Sequence, residues 1–192
     1  MNYLSLFSGA GGGDLACQHL LNWECLGYVE WEEYCQKIIR QRQEDGFLSK
    51  APIFGDIRTF LSEGYAERYR GMVDVVTGGF PCQPFSVAGK QAGADDPRNM
   101  WPATLEVLRI VRPRFALLEN VPGLISSGYF DTVLGDLASL GYDAEWTVLG
   151  ADDVGAPPRR TRLWSLAHSN GGDGDGRAES RAGRPNGPGL SG

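Results

Sequence analysis

Met72-Val73-Asp74-Val75-Val76-Thr77-Gly78-Gly79-Phe80-Pro81-Cys82-Gln83-Pro84 runs from an apolar stretch, through two glycines, to a cysteine set between prolines. The apolar part, Val73 to Thr77, reads as a buried parallel strand, because its residues are Val-rich and do not alternate with polar ones. The paired glycines let the chain turn sharply at the strand end, and Pro81 and Pro84 stiffen the loop around Cys82-Gln83. A thiol held there stands at the carboxyl edge of a sheet, where open α/β folds bind ligands. That placement displays a nucleophile.

Working outward, the same alternation recurs. Tyr3 to Phe7 reads as a first strand, followed by the glycine turn Ser8-Gly9-Ala10-Gly11-Gly12-Gly13, with Asp14 placed to cap a helix through Leu21. Cys25 to Val29 predicts a second strand, Trp31 to Gln43 a second helix, and Ile53-Phe54 a short third strand ahead of Gly55-Asp56-Ile57. After a long loop from Pro81 to Met100 come a helix over Trp101 to Val111 and a fifth strand, Phe115 to Leu118, that ends at Glu119-Asn120. A helix over Phe130 to Leu140 and strands at Glu145–Leu149 and Leu163–Ala167 complete the pattern. Strands alternating with helices predict an α/β domain built on a doubly wound, mostly parallel sheet.

The whole chain sets bounds. Its 192 residues suit one domain with a sizeable core. Four cysteines without a C-x-x-C pair argue against zinc, and the absence of a signal peptide or long apolar run points to a soluble protein of a reducing compartment, hence the cytoplasm. A net charge of -6 counts against a self-sufficient nucleic-acid binder. From about His168 the composition turns to Gly, Ser, Arg and Asn, with Leu190 the sole large aliphatic residue. The expectation is a catalytic domain over residues 1–167 and a disordered tail over 168–192.

The strand ends carry the chemistry. Gly9-x-Gly11 follows the first strand, but Asp14 stands where a dinucleotide fingerprint has its third glycine, which disfavours a pyrophosphate. Glu30, ending the second strand, can accept from both hydroxyls of a ribose. Trp31 offers a face to a purine. Asp56 can accept from an exocyclic amine, with Ile57 against the ring. Together they describe an adenosine carrying an amino-acid tail instead of phosphates, S-adenosylmethionine. Cys82 and Glu119 end neighbouring strands and can face one crevice. In Pro157-Pro158-Arg159-Arg160-Thr161-Arg162, an extended backbone brings Arg160 and Arg162 to one face. A thiol, a carboxyl group and two guanidiniums suit conjugate addition to an electron-poor ring. Cys17, Cys25 and Cys35 read as small buried apolar residues. His19 and His168 show no partner in the sequence.

These segments, in this order, resemble the cytosine-C5 DNA methyltransferases. They are Leu6-Phe7-Ser8-Gly9-Ala10-Gly11-Gly12, Glu30-Trp31, Gly55-Asp56-Ile57, Gly79-Phe80-Pro81-Cys82-Gln83, Glu119-Asn120-Val121 and Arg159-Arg160-Thr161-Arg162, together covering roughly residues 3 to 167. The resemblance implies a Rossmann-like methyltransferase domain. Cys82 would attack C6 of a cytosine flipped out of double-stranded DNA. Glu119 would stabilise protonated N3, with Arg162 at the base and Arg160 close by. Phe7, Gly9, Gly11, Glu30, Trp31, Asp56, Ile57 and Pro81 would contact S-adenosylmethionine. The loop with Ser86, Lys90, Gln91 and Arg98 resembles the segment that closes over DNA. Pro158 stands where the family usually has glutamine. The family continues into a target-recognition domain and a final helix, so a missing or split recognition domain is expected, in a bacterial or phage restriction-modification setting. Two alternatives stand beside this reading: a tRNA cytosine-C5 methyltransferase, and an inactive fragment that binds S-adenosylmethionine. No metal and no membrane are expected.

Overall fold

The computed structural model describes residues 1–81 and 98–171. Cys82, the loop residues Ser86, Lys90 and Gln91, and the tail from residue 172 lie outside the described residues. Seven strands form one sheet in the order β3-β2-β1-β4-β5-β7-β6. They are β1 (Asn2–Leu6), β2 (Glu24–Val29), β3 (Ile53–Phe54), β4 (Val75–Gly78), β5 (Phe115–Asn120), β6 (Tyr142–Leu149) and β7 (Arg162–Ser169). The first five strands pair in parallel, and β7 runs antiparallel between β5 and β6. From β1 the chain steps outward to β2 and β3, then crosses back to place β4 on the other side of β1. That reversal leaves a crevice at the carboxyl ends of β1 and β4.

Helices α1 (Gly12–His19), α2 (Glu33–Glu44), α3 (Ile57–Ser62), α4 (Trp101–Val111), α5 (Gly123–Ser126) and α6 (Tyr129–Ser139) cover the sheet. Alternation along β1 divides the core in two. Leu4 and Leu6 point to a large cluster with Phe60 of α3, Trp101, Val107 and Leu108 of α4, and Val133 and Leu137 of α6. Tyr3 points the other way, to a smaller cluster with Cys17 of α1, Ile39 of α2, Cys25 and Tyr28. The ends of α4 are written locally: Pro102 sits in its first turn, and Arg112 stops it in the left-handed region at φ 54° ahead of Pro113. At the far end of the sheet the face of β7 carrying Trp164 and Leu166 is exposed. No helix among the described residues is long and apolar enough to cross a membrane.

Several expected boundaries move. The first helix stops at His19, two residues before Leu21, and Gly11 rather than Asp14 is its N-cap. Trp31 precedes α2 instead of opening it, because the backbone at Glu32 is still extended. The fourth strand is Val75–Gly78, and the last two strands are longer than their apolar cores. Helix α3 and a 3-10 turn at Ala66–Tyr69 were not anticipated. Cys35 is half-buried rather than buried. His19 has a partner, with its Nε2 2.9 Å from the Phe47 carbonyl oxygen.

The pairing of β1 with β2 skips Leu26, so that Tyr3 faces Cys25 while Leu4 faces Gly27. This bulge brings Gly27 against Tyr69, whose hydroxyl donates to the Leu26 carbonyl at 3.2 Å. A Cβ at Gly27 would meet the Tyr69 hydroxyl at 2.4 Å and its ring at 2.9 Å. The Tyr69 side chain is rigid and buried, so Gly27→Ala is expected to lower the unfolding free energy by about 1–3 kcal/mol, as core overpacking does. Urea denaturation checks this, and an unchanged midpoint would show that the bulge can shift to make room.

Candidate active site

The glycine turn after β1 bends the chain by repeated use of left-handed backbone. Phe7, Gly9 and Gly11 have φ of 52°, 55° and 79°. Such angles suit glycine but strain phenylalanine, and strain of this kind persists only where the surroundings over-determine it. Here they do. The Ser8 N–H donates to the Val29 carbonyl at 3.3 Å, and the Gly11 N–H donates to the Ser8 carbonyl at 2.9 Å. From α2, Arg42 reaches the Ala10 carbonyl at 2.5 Å. The turn is packed on one side and open on the other. A Cβ at Gly11 would meet Leu48 at 2.8 Å, whereas one at Gly9, Gly12 or Gly13 would meet nothing within 4 Å.

Glu30 follows β2 and is only 7% exposed. Its Oε2 accepts from the Gly9 N–H at 2.6 Å and its Oε1 from the Glu32 N–H at 2.8 Å. The carboxylate therefore links the ends of β1 and β2, and each oxygen keeps a further acceptor site. Trp31, beside it, is 69% exposed. Asp56 does more than end the third strand: it is the N-cap of α3, its Oδ1 accepting from the Arg58 N–H at 2.9 Å. Its second oxygen is not committed to that cap.

A cavity of about 610 Å³ gathers Phe7, Glu30, Trp31, Asp56, Ile57 and Pro81 on its walls, with Arg98 and Met100 from the segment before α4. A second cavity, of about 830 Å³, lies across the turn and is lined by Phe7, Gly9, Gly79, Glu119, Arg160 and Arg162 among others. Phe7 belongs to both walls. Of the expected cofactor residues, Gly9 opens onto the second cavity and Gly11 turns toward Leu48.

In the second cavity β4 and β5 lie side by side, with Gly78 opposite Leu118. Glu119 thus emerges next to the segment leading to Cys82. One hydrogen bond fixes that segment, and a close approach shapes it. The Asn120 side-chain amide donates to the Phe80 carbonyl at 3.1 Å, and a Cβ at Gly79 would stand 3.0 Å from Glu119 Oε2. Glycine there lets the chain pass the carboxylate. Arg162, the first residue of β7, ion-pairs with Glu119 through its Nε at 2.8 Å. The extended alternation expected for the arginines does not hold, because Arg160 has φ 27° and breaks the strand before it starts. Arg160 still lines the cavity, while Arg159 lies 3.9 Å from Asp152 at the surface. Burial pushes the Cys17 thiol up to about 11 and the Cys25 thiol up to about 12, so neither is a nucleophile at neutral pH. The roles of Asn120 and Gly79 were missed in the sequence, although both sit inside recognised segments.

The sequence matches the family described as C-5 cytosine-specific DNA methylase across residues 1–181. The chain belongs to that family. It is 33% identical over 170 residues to the type II methyltransferase M.NgoMIV of Neisseria gonorrhoeae, covering 87% of this chain and 51% of the relative. It is 45% identical over 101 residues to M.NaeI of Lentzea aerocolonigenes, covering 51% of this chain and 24% of the relative. The chain thus spans about half the length of the first relative and less of the second. Its fold matches that of DNMT2 from Spodoptera frugiperda with a TM-score of 0.70, at 23% identity, over 88% of this chain and 50% of that one. Family members are S-adenosylmethionine-dependent, so to hold that ligand the smaller cavity must offer acceptors to an adenosine. It fits: the carboxylates of Glu30, Glu32 and Asp56 and the guanidiniums of Arg58 and Arg98 stand among the apolar walls of Phe7, Trp31 and Ile57, with the open side of the glycine turn beyond.

The Glu119–Arg162 pair is partly exposed, at 30% and 24% for the two side chains. Arg162→Ala is therefore expected to change the unfolding free energy by less than about 1 kcal/mol. A loss of about 3 kcal/mol or more in urea, the range for breaking buried pairs, would make the pair a structural tie instead.

Proposed function

We propose that the chain carries the cofactor and the chemistry of a DNA cytosine-C5 methyltransferase. The single observation that carries the reading is the convergence of Glu119, Arg162 and Gly79 on one cavity that shares Phe7 with the other, on whose wall Pro81 stands. When bound, S-adenosylmethionine supplies an electrophilic methyl group. Glu30 would accept from the ribose hydroxyls, the free oxygen of Asp56 from the purine amine, and Trp31 and Ile57 would bound the ring. Backbone at Gly9, Gly12 and Gly13, where no side chain intrudes, leaves room for the amino-acid tail.

Across Phe7, Cys82 would add its sulfur to C6 of a cytosine extruded from the duplex, with the Glu119 carboxylate stabilising the proton at N3 and so drawing electron density toward C5. Arg162 aims that carboxylate and supplies a donor for the ring carbonyl, and Arg160 adds positive charge at the rim. After C5 is methylated its proton leaves and the C6–S bond breaks, which restores both the aromatic ring and the thiolate. Sequence readout is assigned in this proposal to groups away from the catalytic sheet. Arg160 and Arg162 can meet a phosphate or a flipped base, but base sequence is specified by several side chains in a groove.

Fluorine at C5 cannot leave as a proton does, so duplex DNA containing 5-fluorocytosine should trap the chain covalently in the presence of S-adenosylmethionine. The adduct is expected on denaturing gels with the parent chain and is expected to vanish in Cys82→Ser. Persistence of the adduct in the variant, or an adduct on RNA and none on DNA, would contradict the proposal. In calorimetry, Glu30→Ala is expected to weaken S-adenosylhomocysteine binding by about 1–3 kcal/mol, the loss of a charged acceptor. Unchanged affinity would remove Glu30 from the cofactor site.

A further inference from the structure

Helix α2 touches both sides of the Gly9–Glu30 hydrogen bond. Near its start, Gln36 Nε2 donates to the Glu30 backbone carbonyl at 2.7 Å. Near its end, Arg42 Nη1 donates at 2.5 Å to the carbonyl of Ala10, the residue after Gly9. The two anchors are six residues apart, about 9 Å along the axis. Between them Ile39 is fully buried in the cluster with Cys17 and Tyr28, which seats the helix on the core. The end of α2 is held in turn, because the Arg42 carbonyl accepts from the amides of Phe47 and Leu48 at 2.8 and 3.1 Å. Leu48 thereby reaches the packed side of the glycine turn, 2.8 Å from where a Cβ at Gly11 would stand.

What Arg42 holds is one peptide group. The Ala10 carbonyl and the Gly11 N–H share a plane. Arg42 donates to the carbonyl, and the N–H donates to the Ser8 carbonyl at 2.9 Å. That peptide is pinned at both ends, immediately before α1 begins at Gly12. Its orientation decides which way the amides of Gly12 and Gly13 face, and these find no backbone acceptor among the described residues. Arg42 forms no ion pair among the described residues. Asp14, whose Oδ2 stands on the same side of Gly11, has its Oδ1 taken by the Tyr3 hydroxyl at 3.0 Å. The helix dipole favours a cation in the last turn of α2 wherever its side chain points. It does not account for a guanidinium aimed at a carbonyl 32 residues away in sequence.

We propose that Arg42 is a positioning residue for the amino-acid tail of the cofactor, holding the Ala10–Gly11 peptide so that the amides after it face the open side of the turn. The functional half of this inference rests on the reading of that turn as part of the cofactor site. Arg42 lines neither cavity and acts from the packed side, through backbone alone.

The test uses the full chain and two readouts. One is hydrogen exchange at the Gly11 amide without ligand. The other is calorimetric binding of S-adenosylhomocysteine, which carries the tail, and of adenosine, which lacks it. Arg42→Met keeps the stem and removes the donors. It is expected to speed Gly11 exchange and to weaken S-adenosylhomocysteine by about tenfold or more, the worth of a hydrogen bond from a charged donor. Adenosine affinity is expected to stay within about twofold of the parent, the range of changes remote from a site. Arg42→Lys keeps the charge and a donor and is expected to recover part of the loss. Arg40→Met removes the same charge from an exposed position of the same helix, about 160° around its axis, and should leave every readout unchanged. Unchanged exchange and affinity in Arg42→Met would overturn the proposal. So would equal losses for the two ligands, or an equal loss in Arg40→Met, since either marks a general effect on the fold. If Arg42→Met does not fold, Arg42→Lys decides: a smaller loss confined to S-adenosylhomocysteine supports the proposal, and no difference between the ligands overturns it. If the parent binds neither ligand, the cofactor reading fails. Gly11 exchange then decides the rest: faster in Arg42→Met alone, the hold on the turn stands; unchanged, it falls too.

Discussion

The contact on which the site depends is the 2.6 Å hydrogen bond from the Gly9 amide to Glu30. It joins the ends of two neighbouring parallel strands, and it does so through a turn whose backbone is left-handed at three of five positions from Phe7 to Gly11. Without an acceptor at Glu30, the Gly9 N–H would lack its partner next to a cavity. Without left-handed angles, α1 could not start at Gly12 and pack Cys17 into the core. The strain at Phe7 is local, and what sustains the turn comes from three directions: Glu30 after β2, Val29 within it and Arg42 on α2.

Phe7 divides the crevice into two cavities with different chemistry. One side has carboxylates between apolar walls. The other has a carboxylate paired with a guanidinium, beside the segment that leads to Cys82. On the proposed reading, the cofactor's adenosine occupies the first, its amino-acid tail follows the glycine turn into the second, and the base enters the second beside Glu119, so that methyl transfer takes place at the Phe7 edge. The sheet makes this possible because β1 and β4 are the strands where its winding reverses. Their carboxyl ends are therefore uncovered by any crossover helix.

Much of this was legible in the sequence where one residue type leaves little choice. The Val-rich run before Gly78-Gly79 had to be buried, and Ile53-Phe54 and Phe115 to Asn120 lie where their apolar residues predicted. Glu119 and Arg162 meet because β5 and β7 are neighbours. What escaped depends on contacts distant in sequence. Asp14 read as a cap that repels phosphate, because nothing nearby shows Tyr3 as its partner. Yet its spacing from Cys17 places it on the inward face of α1. Asp56 read as a free acceptor, because α3 is six residues long and too short to announce itself. The left-handed Arg160 could not be anticipated, since arginine has no preference for that angle and the turn is set by the strand that follows. The segment leading to Cys82 was the clearest part of the sequence, and its approach past Glu119 is held by the Asn120–Phe80 hydrogen bond, with Gly79 leaving room for the carboxylate.

The account's central claim is that the Glu30 side of Phe7 takes the adenosine of the cofactor and the Glu119 side takes the base. A crystal structure of the chain with S-adenosylhomocysteine measures this directly. The account predicts ribose hydroxyls on the Glu30 carboxylate, the purine between Trp31 and Ile57, and the sulfur at the Phe7 edge facing Glu119. Adenosine lodged instead on the Glu119–Arg162 side, with Glu30 still committed only to the Gly9 and Glu32 amides, would contradict it.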